Sequence, residues 1–181
     1  MAKWTIDTAH SEIGFKVKHL VISTVSGKFT KFEGQLEGDP GDLSKAQINF
    51  SADIDSITTG NEQRDGHLKS ADFFDAANHP KLLFKSTAIV DKGDNHYSVT
   101  GDLTIRNTTK PITLNVEFGG IQDNLYNQTV AGFEITGKIN RQEYGLNWSA
   151  VTEAGGIVVA DDVKLVIDAE LVKQVKEPVT A

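Results

Sequence analysis

Apolar and polar residues alternate with a period of two along most of this chain. The clearest runs place an apolar residue at every second position in residues 13–17, 48–54, 114–118, 133–139 and 163–171. Weaker alternation occurs in three further segments, residues 29–37, 82–90 and 97–105. Because successive side chains of a β-strand point to opposite faces, each run predicts a strand with one apolar face, about eight strands in total.

Short turn-forming segments separate these runs and favour antiparallel neighbours. They lie at residues 39–42, 91–95, 110–111 and 122–124. Eight antiparallel strands with one apolar face form either a sandwich or a closed barrel. Glycines favour the barrel, because they permit the bends that closure requires; those within or beside the runs are Gly27, Gly34, Gly38, Gly101, Gly132 and Gly137.

One segment breaks the alternation: residues 61–75, N-E-Q-R-D-G-H-L-K-S-A-D-F-F-D. Thr59 and Glu62 have the spacing of a capping box, and Pro80 sets an end to the segment. We therefore predict a short helical insert between the third and fourth strands. On it, one helical face carries Arg64, His67 and Leu68.

Composition bounds the architecture and excludes several kinds of chemistry. A chain of 181 residues with 39% hydrophobic content is long enough for one domain spanning residues 1–181. The net charge of −7 and the absence of a basic stripe argue against binding to nucleic acid. The chain has no cysteine, which excludes disulfides, thiolate metal sites and cysteine nucleophiles.

The N-terminal sequence M-A-K-W-T-I-D lacks the apolar core of a secretion signal, so we expect a cytoplasmic location. No apolar run approaches the roughly 18 residues of a membrane span. Any link to lipid is therefore expected to involve a bound molecule.

Five sequence motifs, in this order, resemble those of the YceI-like family. They are W-T-I-D-T-A-H-S-E-I-G-F-K-V-K-H (residues 4–19), R-D-G-H-L-K-S-A-D-F-F-D (64–75), H-P-K-L-L-F-K-S (79–86), G-D-L-T-I with T-K-P-I-T-L (101–105 and 109–114), and R-Q-E-Y-G-L (141–146). The chain departs from the family pattern at Arg106-Asn107, where relatives often have histidine or lysine followed by glycine. It also departs from the periplasmic members in lacking a secretion signal.

The resemblance implies a lipocalin-like antiparallel barrel, a homodimer, and a lumen that holds a long polyisoprenoid such as a prenyl diphosphate or a prenylated quinone. This bound lipid is the ligand that we expect, and we expect no cofactor. The candidate lumen residues are Phe15, Val17, Phe50, Ile54, Val99, Leu103, Phe118, Phe133, Ile135, Ile139, Leu165 and Ile167. Periodicity alone leaves open whether these side chains fill a closed core or surround a ligand.

The energetics of burial suit a long apolar ligand. Burial of one five-carbon isoprene unit contributes roughly 3 to 4 kcal/mol, from about 0.8 kcal/mol per methylene. Association costs on the order of 4 to 15 kcal/mol. About four or five buried units therefore exceed that cost without any polar contact.

Cationic and donor side chains near one mouth of the barrel are candidates for contact with a lipid head group. His19 continues the inward parity of Phe15 and Val17, and Arg64 and His67 share a helix face. Leu68, Phe73 and Phe74 are the candidates for covering the mouth. The structural alternative is that Arg64 pairs with a neighbouring aspartate.

Other chemistry is less well supported by the sequence. Asp7, His10 and Ser11 are the residue types of a catalytic triad, but adjacent residues of an extended segment point to opposite sides, and no G-x-S-x-G motif is present. The histidine spacings fit no zinc motif, so no metal site is expected. Residues 141–156, with Tyr144 and Trp148, are predicted to form a long connection that is either a packed loop or a gate.

Three classes of function follow. The first is non-enzymatic binding, storage or transport of an isoprenoid in the lumen. The second is an enzyme acting on an isoprenoid or lipid head group, and the third is a scaffold for protein interactions.

Overall fold

A computed structural model describes residues 2–148 and 159–175, most of which form β-strands. In chain order the strands are β1 (Lys3–Ile6), β2 (Glu12–His19), β3 (Ser23–Phe29), β4 (Phe32–Asp39), β5 (Asp42–Asp53), β6 (Ile57–Thr58), β7 (Lys81–Gly93), β8 (His96–Ile105), β9 (Thr108–Asp123), β10 (Thr129–Asn140) and β11 (Val159–Lys173). Helix α1 (Glu62–Lys69) lies between β6 and β7, and 3-10 turns span Ile54–Ser56 and Arg141–Tyr144.

Eight of these strands close an antiparallel barrel. Their order around the ring is β1, β4, β5, β7, β8, β9, β10 and β11. The ring closes where β11 pairs with β1, from Trp4 with Lys173 to Ile6 with Leu171. The predicted all-β barrel of about eight antiparallel strands is therefore confirmed.

Strand β11 changes partners along its length. Between Val159 and Asp168 it pairs with β2, and between Leu171 and Lys173 it pairs with β1. Strands β2 and β3 form a hairpin, and two further pairs join β3 to β6. This hairpin therefore extends the wall at one end of the barrel, where β1 does not reach.

The two ends of the barrel differ, and we name them here. The helix end carries α1, the turn at residues 106–107 and the 3-10 turn after β10; the tip of the β2–β3 hairpin also lies there, because His19 pairs with Val159 at the start of β11. The opposite end carries the turn at residues 124–128 between β9 and β10.

Alternation builds the wall as the sequence predicts. Along β8 every second residue is buried, and the residues between them are exposed or half-buried; the buried ones are Tyr97, Val99, Gly101, Leu103 and Ile105. Two glycines make room for aromatic rings on the inner face. A Cβ at Gly27 would overlap the ring of its cross-strand partner Phe15, and a Cβ at Gly101 would overlap the ring of Phe84.

The position of the helix differs from the prediction. We expected it between the third and fourth strands, but β5 and β6 already precede it. The difference arises because β1 and β6 are too short to show alternation, and because residues 29–37 contain a chain reversal between β3 and β4. The N-cap also differs: Asn61 Oδ1, not Thr59, accepts the Arg64 N–H at 3.0 Å.

The buried apolar residues form two adjoining clusters. The larger lines most of the barrel and includes Trp4, Leu43 and Tyr144. The smaller lies under the helical segment and includes Phe29, Phe32 and Ile54. Among the helices of the described residues, none has the length and apolar character needed to cross a bilayer.

Candidate functional site

The barrel encloses a cavity whose wall is apolar. It contains about 1160 Å³ of space free of atoms, including the part that is open to solvent. Among the described residues that line it, Gln35 and Asn49 are the polar ones, and both are exposed residues that alternate with inward-facing neighbours. No described residue at the wall carries a charge, a hydroxyl or an imidazole. The cavity is therefore suited to holding hydrocarbon, and the described part of its wall offers no acid, base or nucleophile.

Nine of the twelve candidate lumen residues line this cavity: Phe15, Phe50, Val99, Leu103, Phe133, Ile135, Ile139, Leu165 and Ile167. Phe15 and Phe50 are only half-buried although they point inward, because the space in front of them is unfilled. These nine side chains, from five strands, thus converge on one space.

The other three candidates lie elsewhere. Val17 is half-buried in β2 between Val25 and Val163, and Ile54 is fully buried in the smaller cluster. Phe118 packs its ring against Phe133 at a centroid distance of 5.4 Å. None of the three belongs to the cavity wall.

Parity within the same runs identifies several lining residues that we did not select. They include Ile13, Ile48, Leu114, Val116, Ala169 and Leu171. Ile6 and Phe29 also line the cavity. Strand β1 is too short for alternation to mark Ile6, and Phe29 belongs only to the weak run at residues 29–37. The lining extends from Leu171 near the closure with β1 to Ile139 near the helix end.

Arg64 is engaged at the start of its own helix. Its Nε donates to Thr59 Oγ1 at 2.7 Å, and its Nη2 donates to the Thr59 carbonyl at 2.8 Å. Thr59 Oγ1 in turn donates to Asp65 Oδ1 at 2.6 Å. The guanidinium therefore holds the segment before α1 against the helix, and it does so through Thr59 rather than by a direct pair with an aspartate.

His67 is half-buried in an aromatic cluster. Its ring meets those of Phe73 and Trp148 edge to face, at centroid distances of 5.1 and 4.7 Å. Its Nε2 lies 2.9 Å from Asp72 Oδ2. This cluster joins α1 to the connection after β10, of which residues 149–158 lie outside the described part of the chain.

The remaining mouth candidates are packed against the core. Phe73 is buried, and Leu68 and Phe74 are partly buried against both apolar clusters. His19 is half-buried at the end of β2, opposite Val159 and Ser23. Like Arg64 and His67, these residues lie outside the cavity wall.

Two arginines fix the loops at the helix end. Arg141 is almost fully buried and donates to the carbonyls of Leu146, Trp148, Val159 and Ala160. Burial lowers the pKa of Arg141, and the nearby Asp161 carboxylate partly opposes this shift. Arg106, at the departure from the family pattern, donates to the carbonyls of Phe73 and Gly145. Both guanidinium groups thus donate to backbone carbonyls, and these donors are not available to a ligand.

Tyr144, in the same 3-10 turn, is almost fully buried. Burial is the main reason that the pKa of Tyr144 rises to about 12. Because Tyr144 and Leu146 are buried, the connection is a packed loop as far as residue 148.

The D-x-x-H-S motif has a structural role at the place where β11 changes partners. Ser11 Oγ accepts the Glu170 N–H at 2.9 Å, and the Asp7 N–H donates to the Glu170 carbonyl at 2.8 Å. His10 Nδ1 lies 2.8 Å from Asp7 Oδ2. These contacts satisfy backbone groups between the two ladders of β11.

The same motif brings three potential metal-ligating side chains together. Ligand atoms of Asp7, His10 and Glu170 lie within 4.8 Å of one another at the surface. The hydrogen bond between the first two raises the pKa of His10 and lowers that of Asp7. Ser11 is engaged with Glu170 backbone atoms rather than with His10, so the arrangement is not that of a hydrolytic triad.

Comparison with known proteins places these features in a family context. The model of the YceI-like domain matches residues 4–171. A UPF0312 protein of Staphylococcus epidermidis is 42% identical over 171 residues, which cover 94% of this chain and 97% of the relative. A UPF0312 protein of Staphylococcus aureus is 40% identical over the same length and shares of the two chains.

Solved structures share the fold. BcnA of Burkholderia cenocepacia superposes with a TM-score of 0.80 at 25% identity, covering 91% of this chain and 98% of that one. The YCEI protein of Campylobacter jejuni gives 0.75 at 32% identity, covering 93% and 96%. A polyisoprenoid binding domain from Saccharophagus degradans, implicated in plant cell wall breakdown, gives 0.65 at 15% identity, covering 94% and 98%; this likeness is one of fold.

Proposed function

Because the chain belongs to the YceI-like family, as the resemblance of its motifs led us to expect, we propose that it is a non-enzymatic binding protein for a long-chain polyisoprenoid held in the barrel lumen. We propose further that it stores or carries this lipid. The observation that carries the proposal is the apolar cavity running from Leu171 to Ile139 inside a closed ring of strands.

The wall of the cavity supports a hydrocarbon ligand. An uncharged wall gives no partner to a buried head group, and burial of an unpaired polar group costs several kcal/mol, roughly 2 to 7. Each isoprene unit contributes roughly 3 to 4 kcal/mol on burial. The hydrophobic tail therefore supplies the affinity, and the head group stays near solvent.

A family neighbour supports the choice of lipid. The Saccharophagus degradans structure is described as a polyisoprenoid binding domain, and its chain shares this fold over nearly all of its length. The lumen of the present chain has the composition that such a ligand requires. Head groups consistent with the proposal are a diphosphate or a quinone at the end of the prenyl chain.

The geometry also favours binding over catalysis. The described residues at the cavity wall include no group that can donate or abstract a proton. Arg64, His67 and Arg141 lie at the helix end, and each is engaged with other groups of the protein. An enzyme acting on a lipid head group requires a free acid, base or nucleophile beside the lumen, which these residues do not provide.

Solvent extraction of the purified protein followed by mass spectrometry tests the proposal directly. We expect one prenyl lipid to recur at a constant molar ratio to protein across preparations. Recovery of a mixture of membrane lipids, or of no lipid after incubation with a prenyl diphosphate, would overturn the assignment. Release of diphosphate on incubation would instead identify an enzyme.

A further inference from the structure

The hairpin between β2 and β3 ends in three consecutive apolar residues, Leu20, Val21 and Ile22, which we call the apolar tip. Their exposed fractions are 38%, 74% and 85%. Single exposed apolar residues are common on protein surfaces, but three in sequence at the end of a hairpin form a projecting patch.

The backbone of the apolar tip is as unusual as its side chains. Leu20 and Val21 have φ angles of 55° and 65°, in the left-handed region. Asparagine and glycine occupy this region at least cost in tight hairpins, whereas a β-branched residue there is strained. Because Val21 is mostly in solvent, few intramolecular contacts offset the strain. The residue types at the tip thus stabilise neither the turn nor the solvated surface. We take this as a sign that the tip contacts another molecule.

Lysines lie immediately behind the apolar tip. Lys16 and Lys18 are exposed on β2, and Lys164 is the cross-strand partner of Lys16 on β11. From the rise per residue of a strand, Lys18 and Lys16 lie roughly 7 and 13 Å behind Leu20 along the hairpin. These cations stand out on a chain whose net charge is −7.

The acidic residues on β2 and at the start of β11 are engaged with other groups. Asp161 lies 3.5 Å from the Arg141 guanidinium and accepts from Gln142 Nε2. Asp162 pairs with Lys138 at 3.1 Å. Glu12 is at the far end of β2, 3.9 Å from Lys28. The hairpin therefore presents an apolar end followed by positive charge, in the order met by a group that enters a bilayer containing anionic lipids.

We propose that the apolar tip inserts into the interfacial region of an anionic lipid bilayer, with Lys16, Lys18 and Lys164 facing the lipid head groups. The tip projects from the helix end of the barrel and so brings one end of the lumen to the membrane surface. The insertion does not depend on what fills the lumen; only its use in lipid exchange rests on the proposed function.

Vesicle cosedimentation tests the insertion. We expect the wild-type protein to bind vesicles of phosphatidylglycerol and phosphatidylcholine in equal parts, and to bind pure phosphatidylcholine vesicles more weakly. The double variant Val21→Asn with Ile22→Ser removes most of the exposed apolar surface and suits the left-handed turn better. It should lose roughly ten- to a hundredfold in the partition constant, the equivalent of one deeply buried apolar side chain.

The turn at the opposite end supplies a matched control. Leu125 and Tyr126 are 99% and 81% exposed, and the Tyr126 side chain makes no hydrogen bond among the described residues. The variant Leu125→Ser with Tyr126→Ser therefore removes a similar apolar surface from the wrong end. It should leave vesicle binding within about twofold of the wild type, less than a 0.5 kcal/mol change.

Three outcomes would overturn the insertion. They are a wild-type protein that does not sediment with anionic vesicles, an equal loss in both variants, and a tip variant that binds as tightly as the wild type. Light scattering distinguishes one of these outcomes further. If the wild type is a dimer that does not bind vesicles and the tip variant is a monomer, the tip is a contact between two copies of the chain. Extraction separates the two proposals: tip-dependent vesicle binding by a protein whose lumen yields no prenyl lipid would refute the lumen ligand and leave the insertion standing.

Discussion

Arg64 reaches back over Thr59 and makes two hydrogen bonds with it, one to the hydroxyl at 2.7 Å and one to the carbonyl at 2.8 Å. Thr59 precedes the Asn61 N-cap, so these bonds fold the entry segment onto the first turn of α1. An arginine whose donors are used in this way positions the helix rather than a ligand.

Replacement of Arg64 by alanine is expected to lower stability and spare ligand binding. The loss should be about 1 kcal/mol, because both hydrogen bonds are at an exposed site and each contributes roughly 0.5 to 1.5 kcal/mol. Urea unfolding measures the first effect. Titration with a prenyl diphosphate and with the matching prenyl alcohol measures the second.

Gln63, exposed on the same helix, is the control position, since Gln63→Ala should change neither quantity. A tenfold or greater loss of affinity for the diphosphate alone in Arg64→Ala would instead assign Arg64 to the head group.

A charge placed in the lumen is expected to abolish lipid binding. Phe50 lines the cavity, so Phe50→Asp sets a carboxylate against the hydrocarbon chain and should weaken diphosphate and alcohol alike by about a hundredfold or more. Gln47→Glu puts a carboxylate on the outer face of the same strand, at an exposed residue that does not line the cavity. It should bind as the wild type does.

An uncharged variant guards against a folding defect in Phe50→Asp. Ile135→Trp fills lumen space without adding charge, and we expect reduced lipid content with a retained cooperative thermal transition. Full lipid content in both lumen variants would place the ligand elsewhere.

Arg141 is predicted to dominate the stability of the helix end. Arg141→Met leaves four backbone carbonyls without their donor, and a loss of about 3 kcal/mol or more is expected for such a buried network. Lys138→Met, which breaks the exposed pair with Asp162, should cost less than about 1 kcal/mol. Urea unfolding of both variants checks the contrast, and equal small losses would contradict it.

The stability contribution of the pair formed by His10 and Asp7 should depend on pH. Their hydrogen bond raises the pKa of His10 above its ordinary 6.5, so this stabilisation is fully present below 6.5 and is lost as pH rises through the folded value. The same hydrogen bond lowers the pKa of Asp7 below 3.8. The stabilisation from Asp7 is therefore present above pH 3.8 and is lost as pH falls through the pKa of Asp7 in the folded state. The pair therefore stabilises most between these two pH values.

Thermal unfolding of His10→Gln checks this dependence. The variant should show a small decrease in melting temperature at about pH 5 and a smaller one at about pH 8.5, because this stabilisation is lost as pH rises through the raised pKa of His10. His96→Gln, an exposed substitution at the β7–β8 turn, controls for the loss of an imidazole. A decrease that is the same at both pH values would contradict the charged pair.

Local periodicity predicts the inward-facing residues of the long strands in most cases. Phe15, Phe133 and Leu165 line the cavity as alternation predicts, because strand geometry fixes the face of every second residue. The closure by β1 was not predictable in this way. Four residues are too few to show a period, and the partner of Trp4 is Lys173, at the far end of the sequence.

The missed reversal between β3 and β4 has a different cause. Thr30 and Lys31 lie between the two strands, and neither is a residue type that signals a turn. The shape of the turn depends instead on Ser56, whose hydroxyl and carbonyl accept hydrogen bonds from Thr30 across the fold. Similarly, the role of Arg64 depends on which residue caps α1. The sequence predicts Thr59 as the N-cap, and the structure has Asn61.

The double pairing of β11 has a consequence for synthesis on the ribosome. Strands β1 and β2 both pair with β11, which is the last of the described strands to be translated. The ring therefore stays open while β4 to β10 are already available to pair. Such long-range pairing is slow relative to local hairpins. Until residue 173 emerges, the nascent chain exposes an apolar sheet face and the unpaired edges of β1 and β10, and this is the stage at which chaperone capture or aggregation competes with folding.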